Sequence, residues 1–157
     1  MTIPVSSVIR SRLEAQGFSG LDEVTLAEVG PWLRWSPALC TLFMTAGVVL
    51  RSPTVLWVLA ATAALGAWLP LHPFDLLYNY GARYLTGTRR LPHHGPQRRF
   101  ACTIATAWLI ATGWAFHTGA IVSGYLLGIP LILVAGLVSI THICIPSLIY
   151  NTWFTRP

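Results

Sequence analysis

Long apolar runs alternate with short polar breaks along most of this chain, and the breaks have turn chemistry. Four runs stand out, over residues 35–50, 54–71, 100–116 and 120–140. A helix needs roughly 17–25 apolar residues to cross ~30 Å of hydrocarbon. The fourth run meets that length comfortably. The first two sit near its lower limit, which leaves a re-entrant hairpin as the alternative for that pair. Arg51-Ser52-Pro53 and His117-Thr118-Gly119 supply tight turns within each pair. Pro130 predicts a kink in the fourth run.

The flanking segments are amphipathic. Ser6 or Ser7 can cap a short helix that puts Val5, Ile9 and Leu13 on one face. Gly17, Ser19 and Gly20 break it. Asp22 and Glu23 suit the first turn of a second short helix, where the helix dipole favours negative charge, and Gly30-Pro31 ends it. This lead reads as a cover on the bundle, or else as a docking arm. After the second run, Pro73 fits the first position of a new helix. Phe74, Leu77, Tyr78, Gly81, Tyr84 and Leu85 share one face of it, and Asp75, Asn79 and Arg83 another, as in a helix lying at a membrane surface. Residues 141–154, interrupted by Pro146, should bend along the same interface. The expected fold is all-α: an integral membrane four-helix bundle with short N-terminal and interfacial amphipathic helices. Residues 1–31 form the lead and 32–157 the membrane domain, with residues 72–99 as a cytoplasmic helix and loop.

Composition strengthens this picture. Hydrophobic residues make up 54% and charged residues 10% of the 157, so too little charge remains to cover a water-facing surface. The net charge of +5 comes from Arg alone, since the chain has no Lys. No charged residue lies between Arg99 and Arg156. The long loop gathers Arg83, Arg89, Arg90, Arg98 and Arg99, whereas Arg51 is alone in the first hairpin and the second has none. Excess Arg marks cytoplasmic loops. The loop and both termini are therefore expected on the cytoplasmic side of a bacterial inner membrane, with these five arginines facing anionic lipid. Trp32, Trp35 and Trp153 would form the inner aromatic belt, and Trp57 and Trp114 the outer one. Basic and aromatic residues do not interleave on a polar surface, which argues against nucleic acid. The apolar stretch of a cleavable signal peptide is missing from the first 30 residues.

The topology brings reactive side chains to one rim. Cys40, Cys102, Cys144, His72, His93, His94 and His142 all fall at the cytoplasmic end, and His117 at the other. Thiolate and imidazole bind zinc, copper and iron-sulfur centres, so His142, Cys144, Cys102 and His72 are candidate ligands for a metal or thiol-redox site. Buried Cys as a small apolar residue and His as an ordinary hydrogen-bonding residue are the competing explanations. Asp75 is the only acid after Glu28 and has no sequence-adjacent base, so no acid/base pair is evident. Ala120, Gly124, Gly128 and Gly136 form a small-residue stripe suited to close helix packing, inside the bundle or against another subunit.

Three short motifs carry a resemblance: His72-Pro-Phe-Asp-Leu-Leu-Tyr78, Gln97-Arg-Arg-Phe-Ala-Cys102 and Cys144-Ile-Pro-Ser-Leu-Ile-Tyr150. Together they make residues 36–150 resemble a family of small bacterial four-span membrane proteins of unknown function. The resemblance implies an inner-membrane location and four spans. It also implies a C-x-x-C near the last span, of which Cys144 matches the first position and Ser147 replaces the second. It implies no activity and no cofactor. The leading expectation is a non-catalytic accessory subunit docked to other integral subunits of a larger complex, respiratory or photosynthetic for example. The alternatives are a thiol-redox or metal-binding protein using the Cys/His rim, and a small transporter lined by Thr and Ser.

Overall fold

A computed structural model describes residues 6–154, all of it helix, turn or loop with no strand among them. Val5 and Arg156, both used in the sequence reading, lie outside the described residues.

Two short helices lead the chain. α1 (Ser7–Ala15) starts where the Ser6 hydroxyl accepts from the Val8 N–H. α2 (Glu23–Val29) is capped by the Asp22 carboxylate, which accepts from the Thr25 N–H. It ends at Val29, before Gly30-Pro31 as expected, but the chain does not leave the helical path. The chain tightens there into a 3₁₀ turn (Gly30–Arg34) and runs on into α3 (Trp35–Val49), because a Pro near a helix start loses no hydrogen bond. α4 (Pro53–Trp68) follows a turn in which Arg51 adopts positive φ. α5 (Pro73–Leu77) continues through a wider π turn (Tyr78–Ala82) into α6 (Arg83–Thr86). α7 (Pro96–His117) begins four residues before the expected span, with Pro96 in its first turn. α8 (Ile121–Thr141) contains Pro130, and α9 (Ile145–Phe154) closes the described chain.

α4 lies along α7, α3 along α8, and the hairpin partners α3–α4 and α7–α8 complete a square. Met44, Val48, Leu56, Leu59, Leu109, Phe116 and Leu131 fill its centre. The outward faces are apolar too: Leu42, Val49, Val58, Leu65, Val122, Leu126, Leu133 and Ile140 are all exposed. Such an exterior suits hydrocarbon rather than water as solvent. α7 and α8 are long and apolar enough to cross a membrane, and α4 with α5–α6 forms a third such unit if the 84° bend between them is counted within one span. These features mark the chain as a membrane protein.

A second apolar core sits on one end of the square. Leu13, Phe18, Leu26, Val29, Leu33, Tyr78 and Leu91 pack together there, with Trp32 and Trp35 against Tyr78. The N-terminal lead is thus a cover, held by the loop beneath it. Glu28 pairs with Arg89 at 3.2 Å and accepts from its backbone N–H, and the Asn79 side chain both accepts from and donates to the Leu91 backbone.

The small-residue stripe is occupied within the bundle. A side chain at Gly124 would collide with the Phe116 ring, and a Cβ at Gly128 would stand 2.6 Å from Val48 Cγ2. Gly136 has only Thr41 Cγ2 nearby, at 3.8 Å, and Ala120 is exposed beyond the helix end. We predict that Gly128→Leu lowers the thermal midpoint in detergent, by overpacking worth about 1–3 kcal/mol. Gly136→Ala should leave it nearly unchanged. Equal effects would show that the stripe does not pack as described.

Candidate functional site

Between the two apolar cores lies a layer of buried polar side chains: Gln16, Ser36, His72, Asp75, Asn79, His94, Arg98, His142 and Ser147. Burying so many polar groups is costly unless they satisfy one another. Most do. Asp75 Oδ2 stands 3.6 Å from Arg98 Nη2, with both side chains almost wholly enclosed. Ser36 Oγ donates to Asp75 Oδ1 at 2.8 Å and lies 3.3 Å from His72 Nδ1. The Phe74 N–H donates to the same Nδ1 at 3.3 Å, so His72 itself caps α5. An Nδ1 that accepts a backbone N–H carries no proton, which places the hydrogen of neutral His72 on Nε2. That nitrogen has no hydrogen-bond partner among the described residues. The ring edge lies against Gly66 of α4, where any side chain would strike it.

Arg98 is the main correction to the sequence reading. It is 6% exposed rather than lipid-facing, and its guanidinium sits over the Phe18 ring at 5.3 Å. One of its nitrogens, Nη1, is buried without a partner. The other arginines of the group stay nearer the surface. Arg89 meets Glu28, Arg90 covers Tyr80, Arg83 covers Tyr84, and Arg99 donates to the Trp68 carbonyl at 2.6 Å. Asp75, for which no partner was evident in sequence, holds three α-elements together through Ser36, His72 and Arg98.

Directly below this layer the bundle holds a half-open cavity of about 140 Å³. Its polar end is formed by Gln16, Ser36, His72 and Arg98, and its walls include Cys40, Met44, Ala105, Trp108, Leu131 and Ala135. Cys102 and Cys144 also line it, and all three thiols are free. The sequence-predicted Cys40, Cys102, Cys144 and His72 therefore do converge. His142 does not join them. It caps α8 at φ 58° and accepts from Arg34 Nε at 2.7 Å, while its carbonyl accepts from Gln16. Among the described residues no three His, Cys, Asp or Glu side chains are placed to share a metal ion. His93 is exposed. His94 is buried beside the ion pair with both ring nitrogens unpartnered. Ser147, at the second position of the C-x-x-C pattern, donates to the Gln97 carbonyl at 3.3 Å and closes α9 onto α7.

The span hydroxyls are inward-turned within their own helices. Thr41, Thr106, Thr112 and Ser139 each donate to the carbonyl four residues back. Thr41 Oγ1 also lies 3.3 Å from Ser139 Oγ, which links α3 to α8.

The chain belongs to a family described as a domain of unknown function (DUF4395), whose model matches residues 31–155. No curated protein and no solved structure matches it. α1 and α2, which roof the polar layer, precede the matched region.

Two predictions follow from the layer. Burial, then the neighbouring Arg98, push His72 and His94 down to about 4 from 6.5. Burial, then Arg34 and Arg12, do the same for His142, also to about 4. Between those values the unfolded chain binds more protons than the folded one. Stability should therefore be full above pH 6.5 and fall as the pH drops toward 4. Thermal unfolding across that range checks the sign, and a flat profile would contradict it. Asp75→Asn should destabilise by about 3–5 kcal/mol, because it strands a buried guanidinium. Asp22→Asn, at an exposed cap, should change little.

Proposed function

We propose that this chain is a four-span protein of the bacterial inner membrane, with both termini cytoplasmic, whose function is to bind a small molecule in the cavity at its cytoplasmic rim. Four spans are supported by the way α3 and α4 run beside the two longer helices with equally apolar outer faces. The extension of α3 by the 3₁₀ turn lengthens it toward the rim. Orientation follows the Arg excess of the long loop.

The observation that carries the binding reading is the cavity itself, closed by a buried polar layer in which one guanidinium nitrogen has no partner. Buried donors are almost always satisfied. One left unsatisfied on a residue that lines a cavity is a candidate binding determinant. The thiols give the site soft, polarisable walls rather than a set of ligands.

The accessory-subunit reading draws on the exposed apolar stripe of α8, including Val122, Leu126, Ile129 and Leu133, which either lipid or a neighbouring subunit can cover. Gentle extraction from native membranes followed by native mass spectrometry separates the two. The binding reading expects a monomer or homo-oligomer carrying a small molecule of defined mass, released by organic solvent and absent from Ala105→Phe, which fills the cavity. A chain that always travels with other subunits, and carries no such mass, would replace it with the accessory reading.

A further inference from the structure

Resting on the binding reading, we infer that the cavity takes a compact, uncharged carbonyl compound from the membrane, of the kind presented by a quinone ring or a lipid ester, with its oxygen on Arg98.

Size sets the first limit. The volume of about 140 Å³ accommodates one six-membered ring or its equivalent; an apolar cavity of about 150 Å³ in another protein holds benzene. Lining chemistry sets the second. Trp108, Leu131, Ala105 and the thiols offer an apolar body its surroundings. The polar end includes Arg98, whose Nη1 is buried and unpartnered. A ligand group that satisfies this donor must present an acceptor.

Charge decides between acceptors. Asp75 already neutralises Arg98, and His72 is uncharged, so the site as a whole carries no net charge to offset an anion. Bringing a carboxylate there would bury a third ion against a pair already matched, at a large desolvation cost. A carbonyl oxygen satisfies the open donor and adds no charge.

The test uses the full-length chain in detergent and decylubiquinone, a benzoquinone with an apolar tail, as probe. Quinones quench tryptophan emission, and Trp108 lines the cavity. Saturable quenching is expected, lost in Ala105→Phe and weakened about tenfold or more in Arg98→Gln, as for removal of a charged hydrogen-bond donor. Should Arg98→Gln fail to fold, Ala105→Phe and competition by three unlabelled compounds keep the test decisive. Dihexanoylglycerol, which presents esters, should displace the quinone at comparable or lower concentration; if it does so far better, the natural source is a lipid ester. Decylbenzene, which has no carbonyl, should compete at least tenfold less well, and equal competition overturns the inference. Decanoate binding more tightly than the quinone overturns it as well. In both of those cases cavity-dependent binding survives, and with it the proposed function. Quenching that never saturates and is identical in Ala105→Phe takes down both.

Discussion

Everything at the covered end of this protein hangs on one buried ion pair, Asp75 with Arg98. An isolated charge there would be expelled toward water or neutralised. The pair persists because each member is held from several directions. Ser36 at the start of α3 donates to Asp75, and His72 caps the helix on which Asp75 sits. Phe18 from the N-terminal lead covers the guanidinium. The ion pair thereby locks α3, α5 and α7 at one level and fixes where the apolar bundle must stop. It adds little net free energy by itself, but removing either partner is severe, and that asymmetry makes it a device for specifying position.

The molecule reads as two solvents meeting. Below the polar layer, side chains that face outward are aliphatic, and the packing contacts rely on glycine and alanine against Phe116, Val48 and Trp57. Above it, the cover has the ordinary amphipathic pattern of a water-exposed fold, with Leu13, Leu26 and Leu33 turned inward and Arg10, Glu23 and Arg89 outward. The π turn over Tyr78–Ala82 belongs to this boundary: it lets Asp75, Tyr78 and Asn79 all point inward from one short helix, toward the ion pair, the upper core and the Leu91 backbone respectively.

Much of the architecture was legible from apolar runs and turn residues, because in a membrane the run length and the breaks carry nearly all the constraint. The all-helical class, the paired hairpins, the separate Pro73 helix and the convergence of Cys40, Cys102 and Cys144 came from that pattern. The site's ion pair did not. Starting the third span at Phe100 grouped Arg98 with Arg99 in a loop. Once α7 starts at Pro96, residues 98, 101, 102, 105 and 108 fall on one stripe and Arg99 on another. That spacing was present in the sequence. What hid it was the assumption that a charge beside a span must face headgroups. His142 failed for the opposite reason: a left-handed backbone at the end of α8 turned its ring away from the thiols and toward Arg34, and φ is not readable from a His-Ile-Cys triplet.

The end of α8 is closed by residues from the far end of the chain. Arg12 donates to the Thr141 carbonyl, Gln16 to the His142 carbonyl, and Arg34 to the His142 ring, across separations of 129, 126 and 108 residues. Arg12 and Gln16 at the end of α1, and Arg34 at the start of α3, find these partners only once α8 has packed into the bundle. The roof of the cavity therefore settles only after α8 is in place, and the polar layer becomes dry no earlier than that.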